Sequence, residues 1–244
     1  MRSPVCARRG ALAVVTVRGG CAIDGLVPTP TGFPEGVVAR LGAPAGPEEH
    51  LRAMVDAHRP ADARERAAKK RFLAELDRLT APFDRDADPV HVTASAVVAG
   101  PRGTVLHLHR RLGRWLQPGG HVDAGEVPAQ AAVRETVEET GLEVTHPAGG
   151  PVLCHLDVHP AGGHVHLDLR FLLVAPDATP KPSPRESPEV RWFSWDEAAA
   201  LADEALAGGL RAARTEVERL RVFAACGSAP APRDGTGARE AAPR

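Results

Sequence analysis

Between Gly120 and Leu142 the chain reads GHVDAGEVPAQAAVRETVEETGL, and this stretch crowds carboxylates where a helix does not favour them. Pro128 suits a first helical position and Gly141 a left-handed stop, so the spacing predicts a helix over about residues 128–140. Glu135, Glu138 and Glu139 then stand at i, i+3 and i+4 and share one face. Such like-charge pairs repel by roughly 0.2–0.5 kcal/mol each, and the helix dipole disfavours anions in the last turn by about 0.3–1 kcal/mol. A bound hard cation relieves both penalties, because it takes oxygen ligands and turns mutual repulsion into shared attraction. Mg²⁺ is the ion expected, with Mn²⁺ as a substitute, since magnesium usually completes its octahedron with water and substrate phosphates.

The competing reading is a solvated acidic helix with intrahelical pairs such as Arg134 with Glu138. It gives no reason for Pro118-Gly119-Gly120 upstream or for Glu126 just before the helix, whereas glycines there let the backbone approach a ligand closely. The whole order resembles the Nudix hydrolase box, with Gly120, Glu126, Arg134, Glu135, Glu138, Glu139, Gly141 and Leu142 at the required spacing. Thr136 departs from it, standing where that family prefers an aliphatic residue that packs the helix on the sheet. The resemblance implies an α/β fold, a Nudix-type α/β/α sandwich with a mixed sheet. It also implies a metal site formed by Glu135, Glu138 and Glu139 with the carbonyl of Gly120, and a structural role for Arg134 in holding Glu126 or Glu135.

Outside the box the chain divides by composition. Residues 1–47 are rich in Gly and Pro without periodicity and are expected to be disordered, or to lie upstream of the true translation start. The short apolar patch behind the first arginines is interrupted by Arg18 and is not expected to act as a signal peptide. Residues 48–87 form a helical extension split by Pro60, in which Phe72, Leu73, Leu76 and Leu79 give one apolar stripe. It reads as a brace on the domain, with a partner-binding helix as the alternative. The Nudix domain is expected over 88–224 and a disordered tail over 225–244.

Net charge is −1, which provides no field for holding nucleic acid or a membrane surface, and no apolar run is long enough to span a bilayer. Cys6, Cys21, Cys154 and Cys226 are scattered and make no C-x-x-C, arguing against a zinc ribbon or a disulfide framework and in favour of a reducing cytoplasm. Only Lys69, Lys70 and Lys181 are lysines, so the abundance of arginine is weak evidence for phosphate binding by itself.

Strand patterns are expected at 91–99, 104–109, 152–158, 164–174 and 190–193, with a loop at 110–120 and a proline-rich loop at 176–188. In CHLDVHPAGGHVHLDLR a four-residue loop from Pro160 to Gly163 would pair His159 with His164, Asp157 with His166 and His155 with Asp168 on one hairpin face. That face is open to three readings: a polar, solvated side of the sheet, a substrate-cleft lining, or a second metal site. Of Arg110, Arg111 and Arg114, Arg110 is the one placed on substrate phosphate by its position. Trp115 either stacks on a base or anchors the loop in the core.

The activity implied is metal-assisted hydrolysis of a phosphoanhydride in a nucleoside diphosphate linked to another group, with a small-molecule nucleotide as partner and a homodimer as the assembly common in the family. Glu135 is the first candidate for general base, with Glu186 and Glu189 as alternatives. The chain has no tyrosine, so the tyrosine associated with dinucleoside polyphosphate hydrolases is missing, and no SQPWPFPxS-like segment is present. ADP-ribose-like compounds and (deoxy)nucleoside triphosphates, including damaged ones, remain level. A non-catalytic nucleotide-sensing module and a capped-RNA enzyme are the other classes. The first usually lacks box carboxylates, and the second needs aromatic platforms that few of the nine Phe and Trp are spare to supply.

Overall fold

Strand β1 (Val90–Gly100) is buried along nearly its whole length, and its residues divide by parity between two cores. Val92, Ala94, Ala96 and Val98 pack toward one layer of helices, while Val97 and Ala99 pack toward the other. A strand so enclosed belongs at the centre of a sheet covered on both faces. The computed structural model describes residues 46–227. The disorder expected for residues 1–47 falls outside them except at its last two positions, as do Cys6 and Cys21, and the expected tail falls outside them beyond Gly227.

The sheet has seven strands. Its main path runs β3 (Arg114–Leu116), β2 (Gly103–His109), β1, β6 (His164–Val174), β5 (Val152–Ala161), with β4 (Gly119–His121) paired to β1 and β7 (Val190–Phe193) paired to β2. Only β1 and β6 run parallel, so the sheet is mixed. Helices α1 (Pro47–Ala57), α2 (Ala63–Leu76) and α3 (Pro128–Thr140) feed one core through Leu51, Val55, Phe72 and the alanines of α3. Helices α4 (Trp195–Leu201) and α5 (Glu204–Gly227) feed the other through Ala198, Leu206, Leu210 and Ala213. The fold is thus the mixed α/β/α sandwich expected, with a helical part ahead of it. Among the described residues no helix is long and apolar enough to cross a membrane.

Two departures from expectation bear on the site. The segment predicted as a loop contains β3 and β4, too short for any periodicity to reveal, and β4 takes over the edge of β1 where β2 diverges from it. The hairpin is also tighter than expected. Gly162 and Gly163 both have positive φ, as a two-residue type I′ turn demands, so Ala161 opposes His164 and the register shifts by two residues. An even shift keeps the same side chains on the same face but changes partners. His159 now opposes His166, Asp157 opposes Asp168 and His155 opposes Arg170, and only beyond His155 does an irregularity shift the pairing, setting Leu153 against Phe171.

Candidate active site

Helix α3 starts at Pro128, where the Val127 amide donates to the Gln130 side chain at 3.2 Å. It stops at Gly141, whose φ of 65° is left-handed and whose missing Cβ leaves room for the Lys181 carbonyl. The proline-rich loop closes over this end, the amides of Lys181 and Ser183 donating to the carbonyls of Thr140 (2.8 Å) and Glu138 (3.3 Å). Thr136 is fully buried and donates its hydroxyl to the Ala132 carbonyl at 2.6 Å. Its polar atom is satisfied within the helix, so it packs where an aliphatic residue would.

The box carboxylates are not equivalent. Glu138 is about half exposed (53%), whereas Glu135 and Glu139 keep only 17% and 14% of their side-chain surface. Arg134 ties Glu126 (Nη2 to Oε2 3.0 Å), Glu135 (Nη1 to Oε1 2.8 Å) and the His121 carbonyl (2.8 Å) into one cluster. Gly120 faces Glu135 so closely that a Cβ there would lie 2.5 Å from its carboxylate. The Gly119 amide donates to Glu139 at 2.9 Å. Even so, burial, with Glu135, Glu186 and Glu138 nearby, pushes the Glu139 carboxyl up to about 8, and burial also raises Glu135. Two largely buried, mutually repelling carboxylates, of which Glu135 has an arginine against it and Glu139 has only the Gly119 amide, fit a hard divalent ion.

Glu139 and Gly120 stand on the wall of a cleft of about 460 Å³ whose floor is the hairpin face. The middle of that face is not solvated, with Asp157, Asp168 and Arg170 each at most 3% exposed, although His164 near the turn is exposed. The solvated reading is therefore corrected there, because α5 packs over this part of the face, with Gly208 against His155 and Gly209 and the Ala205 carbonyl against Arg170. Facing Asp157 and Asp168 are reconciled by Arg170, which donates to both at 3.1 Å. Arg64 of α2 reaches Asp157 at 2.7 Å, and Thr93 and Ser95 donate to Asp168 at 3.1 and 2.7 Å. Burial opposes ionisation of Asp157, but the hydrogen bond with His159 and the charges of Arg170 and Arg64 hold it well below the usual carboxylate range. His107, driven down to about 4 by burial, lies 3.8 Å from Glu139 and also lines the cleft.

Two residues assigned to substrate sit elsewhere. Arg110 donates to the Glu186 carbonyl, outside the cleft lining, whereas Arg111 and Arg114 line it. Trp115 packs edge-on against Phe193 with centroids 4.9 Å apart and carries Arg191 over its ring, so it anchors the strand rather than offering a face to a base. Of the alternative bases, Glu186 belongs to the electrostatic surroundings of Glu139, while Glu189 is paired with Arg191. Arg64, Thr93, Ser95 and His107 went unrecognised in the sequence as cleft residues, since none belongs to a motif, and Arg170, which ends the hairpin segment, was given no role there. The parity break in β1, polar at His91, Thr93 and Ser95 and apolar at Val97 and Ala99 on the same face, was the available signal.

A family model described as NUDIX domain matches residues 89–213. The chain is 40% identical over 114 residues to a Mycobacterium tuberculosis protein named "Putative 8-oxo-dGTP diphosphatase 3", covering 41% of this chain and 50% of that one. It is 32% identical over 118 residues to the isopentenyl-diphosphate Delta-isomerase of Streptomyces griseus, covering 45% of this chain and 60% of that one. Its alignments thus span 50% and 60% of these two relatives' own lengths. A solved NUDIX family hydrolase from Clostridium perfringens is 25% identical, with a TM-score of 0.45 over 52% of this chain and 97% of that one.

Proposed function

Because the protein belongs to the NUDIX family, whose domain takes in residues 89–213, we propose that it hydrolyses a phosphoanhydride bond in a nucleoside diphosphate-linked small molecule. The observation that carries this reading is Glu139, on the wall of a cleft that also presents Arg64, Arg111 and Arg114, with the largely buried Glu135 one helical turn away against Gly120. Glu135, Glu138, Glu139 and the Gly120 carbonyl would hold Mg²⁺, which when bound supplies Lewis acidity toward phosphoryl oxygens and a more acidic water.

The protein's own groups do the rest. Arg134 keeps Glu135 and Glu126 in place, and the Gly119 amide orients Glu139. Arg111 and Arg114, whose forked guanidiniums suit phosphate, hold the diphosphate. Glu135 accepts the proton of the attacking water, with Glu186 as the alternative base.

Among substrates, the 8-oxo-dGTP named for the Mycobacterium tuberculosis relative favours a nucleoside triphosphate, with ADP-ribose-like compounds as the second class. A sensing module without turnover is the less favoured reading, since every box carboxylate is present. We place the protein in the cytoplasm, as a homodimer, with residues 48–87 bracing the catalytic unit. The buried free thiol of Cys154 suits a reducing compartment, and the buried Glu65 of α2, which accepts the Leu156 amide of β5 at 2.9 Å, supports the brace.

The test is a panel of nucleoside triphosphates, 8-oxo-dGTP, ADP-ribose and isopentenyl diphosphate with Mg²⁺, comparing the native chain with Glu139→Gln. Product release should fall by roughly 10²–10³-fold in the variant, the usual scale for removing one electrostatic stabiliser of a transition state. Equal rates, or conversion of isopentenyl diphosphate alone, would overturn the hydrolase reading.

A further inference from the structure

His91 of β1, His121 of β4 and His166 of β6 meet on the cleft side of the sheet, although their positions in the chain are far apart. The register explains it. His91 pairs with His166 across the parallel ladder, and His121 pairs with Thr93, two residues along β1 on the same face. One ring nitrogen from each residue lies within 4.8 Å of the others. The ring centroids are 5.0 Å apart for His91 and His166, 5.1 Å for His91 and His121, and 5.6 Å for His121 and His166.

Stacking of neutral rings accounts for the proximity but not for the polar atoms. His91 is 1% exposed, and neither of its ring nitrogens makes a well-formed hydrogen bond, the Asp88 backbone offering only a weak interaction. An unsatisfied buried polar group costs about 1–3 kcal/mol, and such an atom in a native fold calls for an ion, a water or a chemical role. Burial opposes protonation of His91 and takes His166 down to about 4, favouring the neutral imidazole that ligates metal. His159 stands outside this group of nitrogens, with its Nδ1 on Asp157 at 2.9 Å.

We infer that His91, His121 and His166 form a binding site for a divalent transition-metal ion of the zinc type, separate from the carboxylate site on α3. Three imidazoles suit Zn²⁺, Mn²⁺, Fe²⁺, Co²⁺ or Ni²⁺ and are poor ligands for Mg²⁺, whereas the box glutamates have the opposite preference. Strand β4 divides the two sites: Gly120 turns toward Glu135, and its neighbour His121 turns toward His91 and His166. Three protein ligands leave a fourth position open, as in catalytic rather than structural zinc sites. His166 lines the cleft, so that position is directed to a water or a substrate oxygen. The site stands whether or not the nucleotide reading of the box is right.

The test is titration of chelator-treated full-length protein with Zn²⁺ by calorimetry and with Co²⁺ by visible absorption. The native chain should take up one tightly held equivalent with the spectrum of a nitrogen-ligated, low-coordinate Co²⁺. A Glu135→Gln, Glu139→Gln double variant should keep it. His166→Gln and, separately, His121→Asn should weaken it by more than about 100-fold, beyond the roughly 10–100-fold that losing a supporting hydrogen bond costs. Both histidines are only partly buried, and retained circular dichroism and melting would show that the variants fold. Absence of a tight equivalent, or an equivalent lost in the glutamate variant and kept in the histidine variants, would overturn the proposal.

Discussion

Substituting alanine at each of the adjacent Gly119 and Gly120 should separate folding from chemistry. A Cβ on Gly120 would lie 2.5 Å from both Cδ and Oε1 of Glu135 and 2.8 Å from its Oε2. Ordinary carbon contacts are about 3.5–4.0 Å, so the carboxylate must retreat by roughly 1 Å. The displaced atoms are the end of a flexible side chain, which costs an off-rotamer penalty of about 0.5–1.5 kcal/mol and leaves the backbone alone. Yet those atoms are the proposed ligands, held by Arg134 at 2.8 Å, and a displacement of about 1 Å in a catalytic group costs on the order of 100-fold in rate. A Cβ on Gly119 instead meets Ser95 Cβ at 2.4 Å, Ser95 Cα at 2.6 Å and the Ala94 carbonyl at 2.8 Å. There the backbone of the central strand must move, at an overpacking cost of about 1–3 kcal/mol or more. Thermal melting, magnesium calorimetry and turnover on the same preparations read the contrast. G120A should melt near the native temperature with depressed metal uptake and turnover, and G119A should melt lower. A G120A protein with native turnover, or one that melts as low as G119A, would refute the reasoning.

Three further outcomes follow from the same contacts. Asp157→Asn leaves the Arg170 guanidinium buried with half its compensation and should cost about 3–5 kcal/mol in chemical denaturation. Because Asp157 is held below its ordinary value in the fold, its contribution is present above about pH 4 and lost as pH falls toward the folded value. The variant should therefore show a shallower loss of stability on acidification than the native chain. Glu139 has the opposite sign: with its carboxyl at about 8, the metal-free protein should lose stability as pH rises from the ordinary carboxylate value toward 8. Mg²⁺ uptake at pH 7 should then expel about one proton, measurable by calorimetry in buffers of different ionisation enthalpy, and little above pH 9. Thr136→Val should change the melting free energy by less than about 1 kcal/mol, since the Ala132 carbonyl it frees still has its helical partner.

Helix α3 was legible from sequence to the residue, because a proline start, a glycine stop and spaced acids are local signals. The long strands were legible for the same reason. Strands β3 and β4 were not: each has three residues, too few for alternation, and they exist because β1 and β2 diverge and offer free edges. The hairpin face was found, but its environment was misjudged. Alternation shows which side chains share a face and is silent on whether a helix such as α5 covers it. Arg110 and Trp115 were placed by proximity to the box in the chain, while the turn at 110–113 directs Arg111 and Arg114 to the cleft and Trp115 to Phe193. The histidine trio was the least legible, since only the parallel β1–β6 register and the unexpected β4 bring its members together.

Calorimetric titration of the native chain and of a Glu135→Gln, Glu139→Gln variant with Mg²⁺, with nucleotide present and absent, addresses the box most directly, because imidazoles compete poorly for this ion. Uptake by the native protein that disappears in the variant is the predicted result. No uptake by the native chain under either condition, or equal uptake by both proteins, would contradict the assignment of the buried glutamates as metal ligands.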